Sequence, residues 1–205
     1  MLRLLLLLIL ACVGSVGCDR RDTAGDSVET AGLAIAPGFD CSRAEGSVER
    51  LICADEELSR EDRRLAATWE RVAAALPPGD PNQVRAEQRG WIKGRDDCWK
   101  AEDLKDCVLY AYRSRRAELD IRSGLVLPVA VTSYQCEGWD ASVAIAWFRE
   151  TDPPAAMISV GDDKAFAFQA RAASGARYVA PGVEAWEHQG ELALEWFGSK
   201  SICTV

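Results

Sequence analysis

Three hydrophobic textures follow one another along this chain. Leu4 to Val13 is an unbroken apolar run behind Arg3. From Phe39 to Arg122, apolar residues recur at three- and four-residue intervals: Val48, Leu51 and Ile52; Leu65, Trp69, Val72 and Leu76; Val84, Trp91 and Ile92; Leu104, Val108, Ala111 and Leu119. Such spacing puts one apolar stripe on each of several helices. Beyond Ser123-Gly124 the period drops to two, as in Val129 and Val131, Val143, Ile145 and Trp147, or Leu192, Leu194 and Trp196. Short alternating runs separated by turns such as Gly161-Asp162-Asp163 predict a small antiparallel barrel or sandwich.

Local signals refine the helical part. Ser47 is placed to cap a short first helix, and Ser59-Arg60-Glu61-Asp62 has capping-box spacing with Asp in its last position. Pro77-Pro78-Gly79-Asp80-Pro81 ends one long helix and begins the next, with Asp80 as N-cap and Pro81 at the first helical position. The fold class expected is α+β in two modules: an antiparallel helical bundle over 39–122, then an antiparallel sheet over 123–205. Two loops interrupt the strand pattern. One spans Ala172 to Tyr178, and the other is a hairpin tip at His188-Gln189-Gly190-Glu191.

The leader is long enough for a signal-peptide core and too short to span a bilayer. Ser15-Val16-Gly17-Cys18 resembles a bacterial lipobox, which implies cleavage before Cys18 and acylation of its thiol; leucine is usual where Ser15 stands. Ile9-Leu10-Ala11-Cys12 is a second candidate, and an ordinary secretory leader is the alternative. Residues 1–18 are therefore expected to be a signal peptide with lipobox. Residues 19–38, rich in Ala, Gly, Thr and charge, read as a flexible tether. The location implied is the bacterial cell envelope, lipid-anchored and facing the periplasm.

The chain has eight cysteines, and six remain once Cys12 and Cys18 are set aside. In an exported protein disulfides are favoured over metal binding. Proximity and module limits favour Cys41–Cys53, Cys98–Cys107 and Cys136–Cys203, although spacing leaves the connectivity open. His188 is the single histidine and has no evident nucleophile beside it. No metal-ligand spacing and no glycine-rich phosphate loop occurs, and no carboxylate pair stands out among 32 acidic residues. Neither an enzyme nor a cofactor is expected. Charge nearly balances over 39–122, with 18 acidic and 16 basic residues, whereas 123–205 carries 10 acidic against 5 basic. There is no basic face for nucleic acid, and the acidic second module suits a cationic partner.

Phe39-Asp40-Cys41, Glu49-Arg50-Leu51-Ile52-Cys53, Leu58 with Asp62-Arg63-Arg64-Leu65, and Gln88-Arg89-Gly90-Trp91 with Arg95-Asp96-Asp97-Cys98 resemble the LprI-like N-terminal domain; one lipoprotein of that family is associated with lysozyme inhibition, and the resemblance implies the fold but no individual functional residue. Tyr134-Gln135-Cys136-Glu137-Gly138, Ser174-Gly175-Ala176-Arg177-Tyr178, Trp186 with Gly190-Glu191, and Cys203 resemble the MliC family. The second resemblance implies an eight-stranded antiparallel barrel and inhibition of c-type lysozyme. It also implies that Ser174 enters the lysozyme cleft and hydrogen-bonds the catalytic carboxylates, with Gly175, Arg177 and Tyr178 beside it. The family places a lysine in the loop after the tryptophan, where this chain has His188 and Gln189. A non-inhibitory lipoprotein binding another envelope component is the alternative function.

Overall fold

The computed structural model describes residues 36–75 and 81–205. Cys12, Cys18, Asp80 and most of the 19–38 segment therefore lie outside the described residues. Among the described residues, four α-helices, α1 (Ser47–Ala54), α2 (Glu56–Ala75), α3 (Pro81–Asp96) and α4 (Leu104–Arg122), precede eight strands. The strands are β1 (Ala130–Cys136), β2 (Val143–Phe148), β3 (Ala155–Val160), β4 (Asp163–Ala170), β5 (Ala176–Ala180), β6 (Val183–His188), β7 (Glu191–Trp196) and β8 (Ser199–Thr204). Each strand pairs antiparallel with its neighbours, and β8 returns to β1 to close an eight-stranded barrel. No described helix is long and apolar enough to cross a membrane.

Helix starts differ from two expectations. Gly46, not Ser47, is the N-cap of α1, because the Glu49 carboxylate turns back to accept from the backbone N–H groups of Gly46 and Glu45. Nor does Ser59 begin a helix. Asp55 accepts from the N–H groups of Glu57 and Leu58, so α2 starts at Glu56, four residues earlier than a cap at Ser59 would set it. Ser59 then sits inside the helix, buried, with its hydroxyl donating to the Ile52 carbonyl. An Asp side chain at a helix start satisfies donors that would otherwise face solvent unpaired. Pro81 does open α3.

The helical core gathers Val48, Ile52, Leu58, Leu65, Val72, Val108 and Leu119 around Tyr112. Tyr112 is fully buried and its hydroxyl is satisfied twice: it donates to Asp62 Oδ1 at 2.7 Å and accepts from Arg95 at 2.9 Å. Disulfide Cys41–Cys53 ties the turn before α1 to α1, and Cys98–Cys107 ties the turn after α3 to α4. Inside the barrel, Val143, Ile145, Ile158, Leu192 and Leu194 are almost wholly removed from solvent. Burying side chains of this kind contributes about 1.5–3 kcal/mol each.

Cys136–Cys203 joins residues directly opposite in the β1–β8 register, so the third disulfide lies on the seam that closes the barrel. The outer face of β2–β4 is not left to solvent. Ala146, Phe148 and Ala155, with Met157, Phe166 and Phe168, pack against Ile121 at the end of α4. Tyr110 meets Phe168 edge-on, Arg122 lies over Phe166, and Arg113 approaches Asp152 at 3.7 Å. The residues read from sequence as two modules thus share an apolar contact along α4.

Candidate functional site

The candidate site is built from the β4–β5 loop and the β6–β7 turn. The loop is shorter than the sequence suggested, because Ala176, Arg177 and Tyr178 already belong to β5. Strand alternation then separates their side chains. Tyr178 turns inward, 3 % exposed, and its ring lies 5.3 Å from that of Trp147. Arg177 turns outward and forms a two-pronged ion pair with Glu184, at 2.9 and 2.8 Å. Those two N–H groups hold the Glu184 carboxyl below the usual glutamate range. Tyr178 anchors the strand that leaves the loop, and burial pushes its phenol pKa up.

Ser174 and Gly175 remain at the loop tip, both exposed. Two contacts fix the tip. The indole N–H of Trp186 donates to the Ser174 carbonyl at 2.9 Å. Gly175 has φ +70° and lies so close to β6 that a Cβ there would come within 2.2 Å of the Glu187 carbonyl oxygen and 3.1 Å of His188 Nδ1. No residue but glycine satisfies both the left-handed backbone and the close approach. The Ser174–Gly175 tip is therefore seated against the residues that carry His188.

The adjoining hairpin is tight. His188 pairs with Glu191, leaving Gln189 and Gly190 as a two-residue turn with φ +54° and +88°. Positive φ at both positions is the signature of the primed turns that match strand twist. The Glu187 carboxylate accepts from the Gly190 N–H at 3.2 Å and braces the turn from within. Ser174, Gly175, His188 and Gln189 consequently share one exposed rim. Arg177 flanks it on the outer wall, engaged with Glu184, and Tyr178 lies beneath it in the core.

Trp186, which carries part of the MliC resemblance, is joined on the outer wall by Ile202, which the residue pattern did not single out. Both stand on the outer wall, 39 % and 44 % exposed, among Glu184, Glu195 and Lys200. The inward parity of Val183 and Ala185 was the available signal, since it forces Trp186 outward. Exposed aromatic residues such as Trp186 are enriched at protein contact surfaces. Among the described residues no cluster of three or more His, Cys, Asp or Glu is placed to hold a metal ion.

Comparison with known proteins assigns the two parts separately. Residues 41–137 match the family model described as lysozyme inhibitor LprI, and residues 134–202 match the one described as membrane-bound lysozyme-inhibitor of c-type lysozyme. Among curated proteins, the lipoprotein LprI of Mycobacterium tuberculosis and that of Mycobacterium bovis are each 30 % identical to this chain over 186 residues, covering 91 % of either sequence. No solved structure matches the chain significantly.

Proposed function

This chain belongs to the LprI lipoprotein family, and on that premise we propose that it is an envelope-anchored inhibitor of c-type lysozyme, working by occlusion of the enzyme's cleft. Ser174 is the residue that enters the cleft, carried by the β4–β5 loop. Its hydroxyl donates to the catalytic carboxylates, a charge-assisted bond stronger than one between neutral groups. His188 and Gln189 line the same rim and add hydrogen bonds in place of the lysine found in the MliC family. Trp186 and Ile202 supply apolar contact beside them. Cys18 is the lipid attachment point, and the stretch after it is the tether.

The observation that carries this reading is the seating of Gly175 on Glu187 and His188. It presents the Ser174 hydroxyl on a backbone held before the partner arrives. Rigidity of this kind lowers the ordering cost of association. The barrel's net charge of −5, from 10 acidic and 5 basic residues over 123–205, attracts a cationic enzyme and speeds encounter at low salt.

Clearing of a bacterial suspension by c-type lysozyme, with and without added protein, tests the proposal. Wild-type protein protects the suspension, and Ser174→Tyr, with a ring too large for the same approach, protects far less. Equal protection by the two proteins removes Ser174 from the mechanism. No protection by wild type leaves the alternative of a non-inhibitory envelope-binding lipoprotein.

A further inference from the structure

We infer that the helical layer carries a second binding site, separate from the barrel rim, for an N-acetylated hexosamine unit of a glycan strand. A cleft of about 480 Å³ opens between α1, α2 and α3. That volume lies within the range of small-ligand sites, roughly 300–1,000 Å³. Eight residues that carry the LprI resemblance converge on it from four separate stretches of sequence: Phe39, Asp40, Glu49, Asp62, Leu65, Gln88, Trp91 and Arg95. The barrel-rim mechanism uses none of them.

The chemistry of the lining selects the ligand. Trp69 and Trp91 both line the cleft and are half-buried, so each keeps some surface toward it. Trp91 already meets Tyr112 at a tilt, with ring centroids 5.5 Å apart, and carries the Arg95 guanidinium 5.6 Å from its ring centroid. Trp69 packs partly against the helical core and has no ring, cation or hydrogen-bond partner among the described residues, so the uncovered part of its indole and its N–H face a ligand in the cleft. An indole face is the surface against which the apolar face of a pyranose packs.

The polar groups match the rest of the sugar. Arg95 is 6 % exposed and spends three N–H groups, one on Tyr112 and two on Asp96. Its guanidinium has five, so two donors remain for an acetamido carbonyl. Glu49 and Asp40 each use only one carboxylate oxygen within the protein, Glu49 for two backbone N–H groups and Asp40 for Ser42. The other oxygen of each is an acceptor for sugar hydroxyls. The Arg95 donors are buried, whereas the Glu49 and Asp40 acceptors stand nearer the mouth of the cleft, and internal hydrogen bonds hold all three in place for a polar, uncharged ligand. A purely apolar ligand would leave the buried Arg95 donors unpaired, and an anionic one would face the carboxylates of Glu49 and Asp40.

This site goes beyond inhibition and does not depend on it. Where both operate, it holds the inhibitor at a glycan polymer and raises its local concentration there.

The test is calorimetric titration of the detergent-solubilised full chain with tri-N-acetylchitotriose. Wild type binds saturably, with a Kd of about 1 mM or tighter, and Trp69→Ala weakens binding by about tenfold or more. Glu49→Gln, which keeps an acceptor for the α1 cap, also weakens binding. Both variants retain lysozyme inhibition, which separates this site from the barrel rim. Absence of saturable binding by wild type overturns the inference, as does equal binding by wild type and both variants. Co-sedimentation with purified peptidoglycan sacculi distinguishes the two sources of the sugar: retention by wild type assigns polymeric wall glycan, and its absence assigns soluble fragments.

Discussion

The indole N–H of Trp186 donates to the backbone carbonyl of Ser174 across 2.9 Å, so a side chain on β6 positions the loop that enters β5. Replacing Trp186 by Phe keeps a flat apolar ring on the outer wall and deletes the bond. Stability in urea should fall by about 1 kcal/mol. Lysozyme inhibition should weaken by about fivefold, the equivalent of about 1 kcal/mol. Undiminished inhibition by Trp186→Phe would show that the tip needs no such support.

Two glycines with positive φ separate backbone strain from lack of space. Gly175 would drive a Cβ into the Glu187 carbonyl, whereas a Cβ on Gly190 meets nothing within 4 Å. Gly190→Ala carries only the conformational penalty, about 1 kcal/mol. Gly175→Ala adds displacement of the β6 backbone and should cost about 2–3 kcal/mol. It should also move His188 and relax the rim. Denaturation midpoints of the two variants, measured side by side, decide whether the loop is seated as described.

Much of this architecture was legible in the residue pattern. The change from a three-to-four-residue period to a two-residue period at Ser123 marks the end of α4, and Pro81 opens α3 as its chemistry requires. The cysteine pairs follow their nearest neighbours in sequence and module. What stayed hidden depends on tertiary context. Ser59 has the chemistry of a helix cap, but Asp55 reaches the free N–H groups first and captures them. In β2, Ala146 and Phe148 are as buried as Val143 and Ile145 because α4 covers the outer wall. The apolar run Val143 to Phe148, unbroken by any polar residue, was the trace of that second covered face. The partition of the Ser-Gly-Ala-Arg-Tyr string into a tip, an outward ion pair and a buried ring required the β4–β5 register.

Tyr112 links two charged residues in the helical core, donating to Asp62 and accepting from Arg95. Burial holds its phenol well above the ordinary range, so the hydroxyl stays protonated as a donor. Tyr112→Phe keeps the ring and removes both bonds, leaving a buried guanidinium and a carboxylate each short of a partner. The expected loss is about 1–3 kcal/mol in chemical denaturation. A change below about 0.5 kcal/mol would mean that water replaces the phenol without cost.

Acid stability offers a check on the outer wall. Arg177 depresses the Glu184 pKa in the folded protein, so their contribution is present above the unfolded glutamate value, about 4.3. It is lost as pH falls through the lower folded value. Glu184→Gln should therefore lower the urea midpoint slightly at about pH 6 and have no effect at about pH 2. The difference should shrink in high salt, since both partners are about one-third exposed. A midpoint difference that persists at low pH would assign the effect to packing and not to the ion pair.

The most direct measurement is a crystal structure of the complex with a c-type lysozyme. The account predicts the Ser174 hydroxyl within about 2.5–3.0 Å of the enzyme's catalytic carboxylates, with His188 and Gln189 at the cleft edge. A complex in which the Ser174 rim faces solvent, while another surface of this protein covers the enzyme, would contradict it.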